Sequence, residues 1–139
     1  MRILVVEDDE RIVAFMKRGL EAEDFTVDVA LGTSHAFDLI NTRDYDLLII
    51  DIYLGPDDGL EFCETLRQNH RHVPIVIMTA KGTPETDRMS KAAGANAYLP
   101  KPFAFQDLIE TIARLGPGRD PHDAVLEMPS SPSYPQKMT

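Results

Sequence analysis

Leu47-Leu48-Ile49-Ile50-Asp51 is followed by a turn-rich stretch that includes Gly55-Pro56-Asp57-Asp58-Gly59. A short apolar run bounded by turn residues reads as a buried parallel strand. A carboxylate at the carboxyl end of such a strand stands where open α/β sheets hold their ligands. A second run, Ile3-Leu4-Val5-Val6, leads in the same way into Glu7-Asp8-Asp9. Two parallel strands ending at one sheet edge would gather three or more negative charges. Unit charges ~4 Å apart repel by ~4 kcal/mol at an effective dielectric of ~20. A cation must offset that repulsion, and hard oxygen ligands suit Mg²⁺.

The rest of the chain alternates strand and helix patterns around these two runs. Ile12, Phe15, Met16, Gly19 and Leu20 fall on one face of a helix. Phe25 to Ala30 alternates apolar and polar residues, as a strand nearer an edge does. Thr33 or Ser34 can cap a helix that buries Ala36, Phe37, Leu39 and Ile40. Leu60 to Asn69 forms a third helix, with Leu60, Cys63 and Leu66 inward. Ile75 to Met78 is a fourth strand after Pro74. Thr83-Pro84 opens a polar fourth helix, expected to be the least stable. Ala97 to Leu99 and Phe105 to Leu115 supply the last strand and helix. Five strand–helix pairs predict an α/β fold: a five-stranded parallel sheet with helices on both faces and right-handed crossovers. At this size the expected strand order is the flavodoxin-like 2-1-3-4-5, which makes strands one and three neighbours. Glu7, Asp8 and Asp51 then converge.

A chain of 139 residues allows one domain with a real core. No apolar stretch reaches the ~18 residues of a membrane span, and the first residues are too short for a signal peptide. The lone Cys63 excludes an internal disulfide and a cysteine-based zinc site, which points to the cytoplasm. A net charge of −9 argues against direct DNA binding, because phosphate recognition needs a basic face. His35, His70, His72 and His122 show no paired metal-ligand spacing and read as exposed loop residues. Residues 116–139 hold five of the 10 prolines and no periodicity. That segment reads as a disordered tail or an interaction arm, with Val125, Leu126, Met128 and Tyr134 as candidate anchors. The domain proper is therefore expected to span residues 1–115.

The chain resembles the receiver domains of two-component response regulators, of which the chemotaxis regulator is the small stand-alone type. The resemblance rests on Val5-Val6-Glu7-Asp8-Asp9, on Asp51 with its loop to Gly59, on Met78-Thr79-Ala80-Lys81-Gly82, and on Tyr98-Leu99-Pro100-Lys101-Pro102-Phe103. It implies that Asp51 accepts a phosphoryl group from a phosphohistidine on a sensor histidine kinase or a histidine phosphotransfer protein. It implies Asp8 as a direct Mg²⁺ ligand beside Asp51, Glu7 as holder of a metal-bound water, and the backbone carbonyl of Tyr53 as a further ligand. Lys101 would pair with the phosphoryl oxygens and with Asp51, and its bond to Pro102 is typically cis in the family. Thr79 and Tyr98 would form the switch pair. Such a protein signals by conformational change and contact, and catalyses only its own phosphorylation and dephosphorylation.

Several positions depart from the family pattern. Gly55-Pro56 exchanges the order of proline and glycine usual after the acceptor, so the loop path should differ. Ala104 stands where a polar residue commonly caps the last helix, weakening that start by ~1 kcal/mol. Asp9 is a third acid, better read as a helix-terminal residue near the positive end of the dipole than as a metal ligand. An aspartate-nucleophile phosphatase of the haloacid dehalogenase type is disfavoured: it needs a second Asp two residues on, where Glu10 and Tyr53 stand. A phosphate-cradling nucleotide site lacks its glycines after the first strand. The expectation is a single-domain regulator acting on an unknown output protein, with a homodimer possible through the arm. The alternatives are a receiver fragment of a longer regulator, a phosphorelay intermediate and a phosphate sink.

Overall fold

The computed structural model describes residues 1–115. Its strands in chain order are β1 (Arg2–Val6), β2 (Thr26–Ala30), β3 (Leu47–Asp51), β4 (Tyr53–Leu54), β5 (Asp57–Asp58), β6 (Ile75–Thr79) and β7 (Ala97–Pro100). Its helices are α1 (Glu10–Ala22), α2 (Thr33–Thr42), α3 (Gly59–Gln68), α4 (Pro84–Ala92) and α5 (Phe105–Leu115). The five long strands pair in parallel in the order β2-β1-β3-β6-β7. Counted among themselves they run 2-1-3-4-5, as expected. The two-residue strands β4 and β5 form a separate antiparallel pair in the loop after Asp51.

Alternation along each strand divides the core in two. Leu4, Val6, Leu48, Ile50, Ile75 and Ile77 face Ala36 and Ile40 of α2 and Leu60, Phe62, Cys63 and Leu66 of α3. Ile3, Val5, Leu47, Ile49, Val76 and Met78 face Met16 and Leu20 of α1 and Leu108 and Ile112 of α5. All five residues of β3 and of β6 are buried, because helices cover both faces of the centre. Edge strand β2 exposes Thr26. Among the described residues, no helix is long and apolar enough to cross a membrane.

Three local expectations change. Phe15 is not a core residue: it is 46% exposed. It lies at the margin of the α1 stripe, where its ring meets Phe105 edge-on with centroids 5.7 Å apart. Neither Thr33 nor Ser34 caps α2, since the chain is still extended at Gly32, the N-cap, and both residues lie within the first turn. His35 is exposed as expected but belongs to α2 rather than to a loop. Other helix starts follow the sequence. Asp9 caps α1 by accepting from the Arg11 and Ile12 amides, and Asp58 caps α3. Thr83 and Thr86 form a reciprocal capping box on α4 behind Pro84. Within α4 only Ser90 is buried, in keeping with a polar helix of low intrinsic stability. The arm residues Val125, Leu126, Met128 and Tyr134, and His122, lie outside the described residues.

Candidate functional site

β1 and β3 are adjacent and end together, with Val6 opposite Ile50. The next residues, Glu7 and Asp51, therefore emerge at one sheet edge. The Glu7 N–H donates to the Ala30 carbonyl at 3.0 Å, which carries the β1–β2 ladder one residue further. Glu7 is 1% exposed and Asp51 5%, whereas Asp8 is open to solvent. Ligand atoms of Glu7, Asp8 and Asp51 all lie within 4.8 Å of one another. This is an all-oxygen, all-carboxylate donor set with one solvent-facing member, and it fits a hard divalent cation such as Mg²⁺.

Lys101, the residue after β7, closes the cluster. Its Nζ donates to Glu7 Oε1 and to Asp51 Oδ2, each at 2.9 Å. Its own N–H donates to the Thr79 carbonyl at 2.7 Å, and the Lys101–Pro102 peptide bond is cis, as the resemblance implied. Burial alone would pull the Lys101 ammonium down; the hydrogen bonds and charges of Glu7 and Asp51 outweigh it and hold the pKa above the ordinary lysine range. Burial pushes the Glu7 carboxyl up, against the Lys101 and Asp9 hydrogen bonds that pull it down. Two buried carboxylates thus share one ammonium, and Asp8 adds a further negative charge at the mouth.

The loop after Asp51 is built tightly around its carboxylate. The Tyr53 N–H donates to Asp51 Oδ1 at 3.1 Å. Gly59 opens α3 against the Asp51 carbonyl, and a Cβ there would come within 2.1 Å of that oxygen. Only glycine permits this approach. The Tyr53 side chain is 45% exposed, and Lys81 Nζ lies 5.2 Å from its ring centroid. Thr79 ends β6 fully buried, and its hydroxyl accepts the Lys81 N–H at 3.0 Å. Tyr98 on β7 is half-buried, with its hydroxyl 2.8 Å from Thr86 Oγ1 on α4.

The structure thus gathers Glu7, Asp8, Asp51 and Lys101 in one cluster, bounded by Tyr53 on β4 and Thr79 at the end of β6. Tyr98 is linked instead to the capping box of α4. Sequence reasoning missed Thr86 and Asp57. Thr83-x-x-Thr86 has capping-box spacing, so half of Thr86's role was visible. Asp57 Oδ2 accepts the Thr33 N–H at 3.1 Å, across 24 positions that no local pattern connects.

Comparison with known proteins agrees with this geometry. Residues 3–113 match the response regulator receiver domain family. The transcriptional regulatory protein CusR of Escherichia coli K12 is 36% identical over 115 residues, covering 83% of this chain and 51% of that protein. The transcriptional regulatory protein TcrA of Mycobacterium tuberculosis is 37% identical over 121 residues, covering 84% of this chain and 47% of that protein. The chain spans about half the length of the curated relatives it matches. Among solved structures, the receiver domain of the Francisella response regulator 1452 superposes with a TM-score of 0.79 at 32% identity, covering 82% of this chain and 94% of that one. Response regulator TrrA of Thermotoga maritima, in complex with Mg(2+)-BeF, gives 0.74 at 32% identity, covering 82% and 97%. With its strand order, its acidic cluster and a family match over nearly all the described residues, the chain belongs to the response regulator receiver domain family.

Proposed function

We propose that the protein accepts a phosphoryl group on Asp51 from a phosphohistidine of a sensor histidine kinase or histidine phosphotransfer protein, and relays the event by conformational change and contact. The observation that carries this reading is the buried Asp51 carboxylate with Lys101 Nζ 2.9 Å from one oxygen and Glu7 and Asp8 alongside. An Asp51 oxygen attacks the phosphorus, the P–N bond of the donor breaks with its electron pair passing to the imidazole nitrogen, and an acyl phosphate forms. Lys101 steadies the negative oxygens of the transferred group. Asp8, Asp51 and the Tyr53 backbone carbonyl would hold Mg²⁺, with Glu7 placed to hold one of its waters, and the ion would supply charge neutralisation for the phosphoryl group. The same residues serve the loss of the phosphoryl group to water, so the protein catalyses only its own modification. The compartment this implies is the cytoplasm.

Two hydrogen bonds would report the new state. Thr79 turns its hydroxyl from the Lys81 N–H toward the phosphoryl oxygens, drawing its loop inward. Tyr98 leaves Thr86 and moves toward the space released, changing the face formed by α4, β7 and α5. For the output, two readings stand. One is a stand-alone regulator that meets a partner protein or serves a phosphorelay. The other, supported by the half-length match to transcriptional regulators, is the receiver portion of a longer regulator whose remaining part would contact DNA.

Incubation with acetyl phosphate and Mg²⁺ tests the chemistry. Intact mass should rise by one phosphoryl group in the wild type and not in Asp51→Asn. Equal labelling of both proteins would remove Asp51 as the acceptor.

A further inference from the structure

The loop that follows Asp51 folds back on itself as the β4–β5 hairpin, with Tyr53 opposite Asp58 and Leu54 opposite Asp57. Strands of two residues cannot hold a fixed geometry alone. Gly55 takes φ +66° at the turn, and a Cβ there would stand 3.3 Å from Asp8 Oδ2. The tip of the hairpin therefore crosses beside one carboxylate of the site. Its base carries Tyr53, whose N–H is bound to Asp51 Oδ1. How far the Tyr53 carbonyl stands from Asp8 and Asp51 depends on how the hairpin is held.

One side is anchored at α3, where Gly59 donates to the Ile52 carbonyl at 2.8 Å and Asp58 caps the helix. The other side rests on Asp57. Its Oδ2 accepts the Thr33 N–H at 3.1 Å at the start of α2, a helix whose N-cap residue Gly32 makes no side-chain cap bond. A Cβ at Gly32 would lie 3.3 Å from that same oxygen, so the glycine leaves the carboxylate room. A carboxylate at a helix N-terminus is favoured twice, by the free amide it satisfies and by the helix dipole.

We propose that Asp57 is a positioning residue for the metal site: it ties the hairpin that carries Tyr53 to the first turn of α2, and this tether sets the affinity for Mg²⁺. The proposal rests on the reading of Asp8, Asp51 and the Tyr53 carbonyl as metal ligands, with Glu7 beside them. Asp57 touches no ligand itself. It acts by restricting the loop before the ion arrives, so that binding does not have to order it.

Titration of the full chain with Mg²⁺ alone, followed by calorimetry and by amide chemical shifts, decides the matter with three variants. Asp57→Ala removes the acceptor and should weaken Mg²⁺ binding about fivefold, the effect of losing one net hydrogen bond. Thr33→Pro removes the donor while keeping the charge of Asp57. Proline is tolerated at the first helical position, so this variant should fold and should weaken Mg²⁺ to the same extent. Asp57→Asn keeps an acceptor oxygen and should bind like the wild type. In the wild type the Thr33 amide resonance should shift as Mg²⁺ is added. If Asp57→Asn falls with Asp57→Ala while Thr33→Pro binds normally, charge and not the tether is responsible, and the proposal is overturned. Variants that melt earlier yet bind Mg²⁺ as the wild type does would give Asp57 a merely structural role and overturn it equally. A wild type with no response to Mg²⁺ would instead remove the metal reading on which the proposal rests.

Discussion

Asp51 carries opposing demands, and its substitution separates them. Without a cation the site holds the carboxylates of Glu7, Asp8 and Asp51 against one ammonium, that of Lys101. Asp51→Asn removes a repelling charge and keeps one acceptor oxygen, which serves either the Tyr53 N–H, now on Oδ1, or the Lys101 ammonium, now on Oδ2. The variant should be more stable than wild type without metal, by about 1–2 kcal/mol. With Mg²⁺ at a hundred times Kd the wild type should gain about 2.7 kcal/mol and the variant less. Thermal melts with and without Mg²⁺ read both effects, and a metal-free Asp51→Asn that melts below wild type would count against the repulsion. Tyr53 and Lys81, two residues beyond Asp51 and Thr79, bring an aromatic ring and an ammonium together at 5.2 Å. With a phosphoryl group on Asp51, as proposed, this pair would flank the approach of water to it. Tyr53→Asn should speed spontaneous dephosphorylation, about tenfold if shielding contributes ~1.4 kcal/mol to the barrier. Equal decay of the two phosphoproteins, followed by intact mass, would show that the ring shields nothing.

Among the elements, α4 depends most on its first turn. It buries one of its own residues, so little packing supports it, and the Thr83–Thr86 capping box holds its start. Thr86 Oγ1 serves several contacts at once: it accepts from the Thr83 N–H at 3.0 Å, donates to the Lys81 carbonyl at 2.8 Å, and meets the Tyr98 hydroxyl at 2.8 Å. Thr83→Ala should cost about 1 kcal/mol in global stability. Amide exchange should rise mainly across Pro84–Ala92. Uniform exchange across all five helices would instead mean that α4 does not open independently. Helix α5 shows the reverse arrangement. Ala104 offers no side-chain acceptor, and the Asp107 N–H turns to the Ala104 carbonyl at 2.9 Å. Its stability comes from Leu108 and Ile112, both buried on the sheet.

For the whole molecule, the acid limit should be set in part at the open edge of the sheet. Asp28 on β2 takes hydrogen bonds from Tyr45 at 2.7 Å, Arg43 at 2.8 Å and Arg2 at 3.3 Å, all on one oxygen. Burial would push this carboxyl up; the Tyr45 and Arg43 bonds, the Arg43 charge and Arg2 together hold it below the ordinary carboxylate range. The native state thus binds this proton more weakly than the unfolded chain does. The stabilisation is fully present above the unfolded value of ~3.9 and is lost as pH falls through the lower folded value. Asp28→Asn should be about 1 kcal/mol less stable near neutrality, and the gap should close in acid. Urea melts that keep the same gap at both pH values would rule this out. Assembly is tested by removing residues 116–139. If the arm pairs two copies, light scattering should give a dimer for the full chain and a monomer for one ending at Leu115. Identical monomer masses would remove the arm hypothesis.

Much of this architecture could be read along the chain because its signals are local. Apolar runs of four or five residues mark the central strands, and the parallel alternation leaves few topologies in which strands one and three are not neighbours. The convergence of Glu7, Asp8 and Asp51 follows from that adjacency, and Asp9 as a cap follows from its place before α1. Other features arise from contacts between segments far apart, for which neighbouring residues carry no signal. Arg67 binds the Gly94, Arg71 and Val73 carbonyls and the Asn96 side chain, joining α3 to the loops around β6 and β7. Asp57 replaces the cap that Thr33 and Ser34 do not supply, and Tyr98 finds Thr86. Phe15 shows the same limit from the apolar side, because helical periodicity names a stripe but not its margin. A strand run must be buried wherever it packs, so its composition reports its fate. A polar side chain's partner depends on where the folded chain brings a donor within 3 Å or so, and the tertiary packing makes that choice.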